Sequence, residues 1–193
     1  MPITHVNAKG KTYYLHQGTT KTGKPKYHFS PKSEGNLVET VPEGYEIYEH
    51  PNAQVFLRQI QPKIITDEER QVVEDGMRKY ASVSHYKIDV KGNAILIYTA
   101  AQNMSALTAI LQGIPGAMGK EAQIMEILNR SAHYSPVMQF ELIDEEERTF
   151  AVQRYCYRGS IDDWIYVGGS GKLKKLVQQY VKHLDKESFY ELM

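Results

Sequence analysis

Between residues 12 and 59 short runs of apolar and aromatic residues are separated by polar turns containing Gly, Pro or Asn, a pattern that reads as all-β. Tyr13-Leu15 and Tyr27-Phe29 flank the turn Lys21-Thr22-Gly23-Lys24. Pro42-Glu43-Gly44 is a second turn, and Tyr45-Glu49 and Gln54-Arg58 flank His50-Pro51-Asn52-Ala53, with Pro and Asn in turn-favouring places. The pattern predicts a module of short antiparallel strands that buries little core by itself.

After Gln61-Pro62-Lys63 the pattern changes. Thr66-Asp67-Glu68-Glu69 has the spacing of a capping box, and Val72, Val73, Met77 and Tyr80 fall on one stripe of the helix it opens, to about Tyr80. Gly76 interrupts that helix with the least helix-favouring residue after proline. YKIDVKGNAILIYT then reads as a hairpin on Gly92-Asn93. In that register Val90 opposes Ile95 and Ile88 opposes Ile97, four apolar side chains on one face. Residues 103 to 112 and 120 to 132 read as helices joined by GIPGAMG. Val137-Ile143 and Thr149-Arg158 form a second hairpin around the acidic turn Asp144-Glu147, and Trp164-Val167 is a further strand. Leu173, Leu176, Val177, Tyr180 and Leu184 repeat at i, i+3, i+4, i+7 and i+11, an amphipathic helix that Phe189 and Leu192 extend or restart.

Strands arrive in hairpins with helices between groups, not in strict alternation. That order predicts an α+β protein: a small antiparallel β module over residues 1 to 61, then residues 62 to 193 as an antiparallel sheet with helices on one face.

Composition narrows the function classes. Lys and Arg total 23, as do Asp and Glu, so no overall basic excess marks a nucleic-acid or membrane-surface protein. Cys156 is the only cysteine, which excludes an intramolecular disulfide and any zinc site needing two thiolates. The start, MPITHVNAKGK, lacks a signal-peptide h-region, and the longest apolar runs are far short of a membrane span. These features predict a cytoplasmic protein without membrane, metal or cofactor. Tyrosine stands out, with 14 copies against 5 of phenylalanine, as expected for half-buried sheet faces or binding surfaces.

Charge is segregated along the N-terminal module. Residues 1 to 32 hold Lys9, Lys11, Lys21, Lys24, Lys26 and Lys32 without an acid; residues 33 to 49 hold Glu34, Glu39, Glu43, Glu46 and Glu49 without Lys or Arg. Lys21, Lys24 and Lys26, with Tyr27 and His28, are candidates to contact phosphates and stack bases. The plain alternative is a solubilised hairpin, neutralised if the acidic half folds back.

WIYVGGSGKLKKL carries a second candidate surface, Lys172, Lys174 and Lys175 at a glycine-rich corner that opens a helix. It is not a P-loop, because Tyr166 stands where the first Gly belongs and Leu173 where the hydroxyl residue belongs. A strand-to-helix corner with Ser170 as N-cap is the favoured account of it. The loop from Gly113 to Lys120 fails the same test at Ile114 and Glu121.

Asp89 and Lys91 form a D-x-K on a strand, with Glu74 and Asp75 on the helix before it, a loose match to the carboxylate-lysine sets of metal-dependent nucleases. Arg154 and Arg158 share the strand face of Cys156, a setting that lowers a thiol pKa when the group is exposed. The seven histidines show neither HxH nor HxxxH spacing. No catalytic residue set is assigned. The leading expectation is a binding or self-assembling module with a protein partner, acting through Tyr-rich β surfaces. Nucleic-acid binding through the lysine hairpin is the alternative, and a metal-dependent nuclease is the third reading.

Overall fold

The computed structural model describes residues 1–100, 132–158 and 161–192. The chain forms an α+β fold with antiparallel sheets and, among the described residues, two α-helices. It divides into two compact units, one taking Met1–Gln61 and the other beginning at Pro62 and including His133–Met193. The helices expected at 103–112 and 120–132 fall, apart from Ala132, outside the described residues, as does the loop from Gly113 to Lys120.

In the first unit β1 (Thr4–Val6), β2 (Thr12–Thr19) and β3 (Pro25–Ser30) form one sheet in that order, and β4 (Tyr45–Glu49) pairs with β5 (Val55–Gln59). Strand β1 is short enough to leave no periodic signal, and the sequence pattern did not predict it. One turn geometry recurs three times. The N–H of Gly10, Gly23 and Ala53 bonds the carbonyl of Asn7, Thr20 and His50, and each turn closes with a bond to the residue that follows. The fourth residue of each has positive φ: 74° at Gly10, 80° at Gly23 and 64° at Ala53. This is a type I turn with a left-handed residue making a bulge, which suits the right-handed twist of the flanking strands. Ala53 adopts it without being glycine, and its carbonyl accepts a 2.7 Å bond from Asn7 Nδ2 that ties two of the three turns together.

In the second unit six strands are antiparallel. They are β6 (Tyr86–Lys91), β7 (Ala94–Ala100), β8 (Tyr134–Asp144), β9 (Thr149–Arg158), β10 (Ile161–Tyr166) and β11 (Gly171–Lys172). Their order is β10-β9-β8-β7-β6, with β11 also on β9. The expected pairs Val90–Ile95 and Ile88–Ile97 are both present. Helices α1 (Asp67–Tyr80) and α2 (Leu173–Tyr180) cover one sheet face. Val73, Met77, Ile95, Ile97, Met138, Phe140, Val152, Leu176 and Val177 share the core between them, and Ile88 and Val90 pack against it.

The capping box forms as the sequence predicts: Thr66 Oγ1 accepts from the Glu69 N–H at 3.2 Å, and Glu69 Oε2 accepts from the Thr66 N–H at 3.0 Å. Glu69 has a second duty, accepting Arg148 Nε at 2.9 Å from the turn between β8 and β9. Thr66→Ala removes one cap acceptor and is expected to cost about 1 kcal/mol. A lower urea midpoint followed through the emission of Trp164, the only tryptophan, checks this. An unchanged midpoint would mean that the Arg148–Glu69 pair alone fixes the helix start.

The expectation that Ser170 caps α2 is corrected. The N-cap is Lys172, without a side-chain cap bond. Gly171 and Lys172 pair with Phe150 and Thr149 of β9 first, so the backbone stays extended two residues longer than the glycine pattern suggested. The helix ends at Tyr180 and continues as a 3-10 turn over Val181–His183. Leu184 and Phe189 still reach the core. Among the described residues no helix is long and apolar enough to cross a membrane.

Candidate functional site

The lysine hairpin comes first, because the charge pattern singled it out. Lys21, Lys24 and Lys26 are exposed, and among the described residues none has an ion-pair partner. The acidic segment does fold back, but elsewhere. Asn36 to Val38 run along β2: the Gln17 N–H bonds the Asn36 carbonyl at 2.9 Å and the Val38 N–H bonds Leu15 at 2.9 Å. Ile3 of the chain start joins the same segment at Val38. Glu39 then meets the terminal amine at 3.3 Å, Glu46 meets Arg58 at 2.8 Å, and Glu49 meets His5 Nε2 at 2.7 Å and the Ala8 N–H at 2.7 Å. Three of the five glutamates thus pair with groups other than the hairpin lysines.

Alternation then splits the predicted residues. Lys26 and His28 share one face of β3, where the His28 ring stacks on His16 at 5.3 Å and 19°. Tyr27 points to the other face and packs against Tyr45, ring centres 6.3 Å apart. His16, in turn, is buried and bonded to the Lys32 carbonyl at 3.0 Å. Tyr27 is therefore turned away from Lys26, while His28 remains on the Lys26 face, stacked on His16.

The glycine-rich corner is also occupied. The Lys172 ammonium bonds the Glu147 carbonyl and lies 3.7 Å from its carboxylate, while the Gly171–Lys172 backbone is spent on β9. Lys174 borders a cleft with Val72, Asp75, Gly76, Lys79 and Tyr80, and Lys175 is exposed.

Nor does the sheet bring the nuclease-like set together. Asp89 and Lys91 lie on the face opposite Ile88 and Val90, whereas α1 packs on the Ile88 and Val90 side. Glu74 pairs with Arg70 at 3.1 Å and Arg78 at 3.0 Å, and Asp75 accepts from Gln71 at 2.8 Å. Among the described residues no group of three or more His, Cys, Asp or Glu is placed to hold a metal ion. Cys156 is buried, and the Arg154 guanidinium on its face donates to the Leu192 carbonyl at 3.3 Å.

What the sequence pattern left unassembled is the far end of the sheet. Trp164 opposes Tyr155, Tyr166 opposes Gln153 and Asp162 opposes Tyr157 in the β9–β10 register. Period-two alternation therefore puts Tyr155, Tyr157, Trp164 and Tyr166 on one face, the face away from the helices. Tyr155 lies 5.0 Å from Trp164 edge-on and 4.6 Å from Tyr157. Further toward the sheet centre the same face is buried at Leu96, Tyr98, Ala151 and Gln153, whereas Tyr157 and Tyr166 are 66% and 60% exposed. The signal was in the sequence, as Tyr155/Tyr157 and Trp164/Tyr166 at period two, but only the pairing register makes one patch of them.

Polar groups hold this patch in shape. Tyr166 donates to Glu141 Oε2 at 3.0 Å, Gln153 donates to the same oxygen at 3.0 Å, and Gln139 donates to Gln153. The hydrogen bond to Glu141, with the charge of that carboxylate, holds the Tyr166 phenol above its ordinary pKa. Desolvation and then Asp162 do the same for Tyr155, whose hydroxyl reaches the Asp162 carbonyl at 3.3 Å. Both phenols remain neutral donors near pH 7. The surface offers flat aromatic faces, amide and carboxylate acceptors and no nucleophile-base pair. No protein-family model matches this chain, and no curated protein or solved structure matches it either.

Proposed function

We propose that the chain is a non-enzymatic binding or assembly module of the cytosol whose contact surface is the aromatic face of β9 and β10. The observation that carries this reading is the exposure of Tyr157 and Tyr166 beside Tyr155 and Trp164 on one face of the sheet. Soluble proteins seldom leave large aromatic side chains grouped on their surface without a use for them, and Tyr and Trp dominate the energetics of protein contacts. The rings are pre-positioned by ring packing and by the Glu141–Gln153–Gln139 chain, which lowers the entropy lost on binding. The single cysteine supports the compartment.

Nucleic-acid binding keeps one supporting observation, the three exposed lysines at the β2–β3 tip that the glutamates do not neutralise. One experiment separates the two readings. A photoreactive benzoylphenylalanine is placed at Tyr157 or at Lys24, and the purified chain is irradiated alone, with cell extract and with a labelled single-stranded oligonucleotide. The aromatic-face reading expects protein adducts from position 157. Oligonucleotide adducts from position 24 alone, suppressed by added salt and by Lys21→Ala with Lys26→Ala, would move the contact surface to the hairpin.

A further inference from the structure

Strand β10 ends the six-stranded sheet, so one of its edges faces no other strand among the described residues. Which backbone groups line that edge follows from the register. The Val167 N–H bonds the Val152 carbonyl, so in the antiparallel alternation Ile161, Asp163 and Ile165 also turn their backbone toward β9. Asp162, Trp164 and Tyr166 turn theirs outward. The outward Trp164 N–H is met by the carboxylate of its own neighbour, Asp163, at 2.7 Å, and the outward Asp162 carbonyl by the Tyr155 hydroxyl. The remaining outward groups have no hydrogen-bond partner among the described residues.

An open edge beside exposed rings invites an added strand, and exposed edges are blocked in soluble proteins by charge. On the described residues of β10 itself, and on the aromatic face beside it, the charge is of one sign. Asp162 and Asp163 are both exposed on β10: Asp162 is on the aromatic face, where Tyr166 also bonds Glu141 of β8 and the described side chains of β8, β9 and β10 include no Lys or Arg, and Asp163 is on the opposite face, which it shares with Arg154. A second copy of β10 would bring the same two carboxylates and no cation, so the edge is set against pairing with itself. A strand bearing Arg or Lys meets the opposite situation. Its backbone takes the outward groups of Asp162, Trp164 and Tyr166. On the aromatic face its cations meet Asp162, and the planar guanidinium or the alkyl stem lies on Trp164, Tyr157 or Tyr166, while Asp163 adds negative charge from the other side of the same edge. The incoming carbonyl displaces the Asp163 carboxylate from the Trp164 N–H.

We infer that the β9–β10 face binds an extended, basic segment of another protein, added as a strand to the free edge of β10. This rests on the aromatic-face reading above and names its partner class. The position of Trp164 makes the test direct, since it is the only tryptophan and lies on the edge itself. The chain of residues 1–193 is titrated with a decapeptide alternating arginine and threonine, and with matched glutamate-threonine and serine-threonine peptides, while Trp164 emission is followed.

The expected result is a saturable change with the arginine peptide that weakens as salt is added, and none with the glutamate peptide. Asp162→Asn with Asp163→Asn is expected to weaken the arginine peptide about tenfold at low salt without shifting the thermal midpoint. Equal responses to arginine and glutamate peptides, no saturable response to arginine, or full binding by the double Asn variant would each overturn the inference. If the peptide fails while photoadducts still form at position 157, the surface stands and the partner class is wrong. If both fail, the surface itself is wrong.

Discussion

Gly168→Ala should unfold the second unit at markedly lower temperature or urea concentration than the wild type. Gly168 has φ of +92°, and a Cβ built there would lie 1.8 Å from Tyr180 Oη and 2.9 Å from its Cζ. Two penalties add. An L-residue in that conformation costs about 1–2 kcal/mol. Displacing a buried ring costs a further 1–3 kcal/mol, roughly, because Tyr180 belongs to the packed core and has little room to retreat. The combined expectation is about 3 kcal/mol, read from the denaturation midpoint of Trp164 emission. Tyr180→Phe removes the closest atom but leaves the ring carbon and the backbone strain, so it should restore only part of the loss. A Gly168→Ala variant within about 0.5 kcal/mol of wild type would show that the corner after β10 is plastic. The same variant bears on function, because Gly168 turns the chain directly after the strand that carries Trp164 and Tyr166.

Gly76→Ala is the second large effect, and its sign opposes local propensity. In a solvent-exposed helix this change would stabilise by about 1 kcal/mol. Here a Cβ would lie 2.0 Å from Val177 Cγ1 of α2. Val177 is buried and β-branched, and in a helix its χ1 is nearly fixed, so it cannot swing aside. The helices must separate, and the net loss should be about 2 kcal/mol. Val177→Ala alone leaves a cavity and also destabilises. Combined with Gly76→Ala, it should be at least as stable as Val177→Ala by itself, because the new methyl fills the space the old ones leave. A double-mutant cycle in urea measures this coupling, and simple additivity of the two losses would refute the close-approach account.

The contrast at Gly76 shows where sequence reasoning stops. Read along the chain, a glycine inside a helix lowers the case for that helix. Read in three dimensions, it is the place where α1 and α2 come together over the sheet. The Ser170 cap failed for a related reason. Serine before a helical pattern is a sound local signal, but pairing of Gly171 and Lys172 with β9 is a long-range contact that holds the backbone extended past it. Conversely, the Thr66 capping box and the Gly92-Asn93 hairpin formed as expected, since both are decided within a few residues.

By itself, then, the sequence determined what short-range physics governs. That includes the α+β class, the turn at Gly23, the Gly92-Asn93 hairpin with its register, the two amphipathic helices that cover the sheet, and the exclusion of a disulfide between two cysteines of this sequence. Tertiary structure alone decided which side chains meet. It ran Asn36 to Val38 along β2, left Lys21, Lys24 and Lys26 without an ion-pair partner among the described residues, turned Tyr27 away from Lys26, and placed Asp89 across the sheet from Glu74. It also gathered Tyr155, Tyr157, Trp164 and Tyr166 onto one face beside an open, acidic edge. The physical reason is that period-two alternation fixes the face of each residue within its own strand. Beyond a tight hairpin such as that on Gly92-Asn93, which strands lie side by side and in what register is set by burial of the whole core.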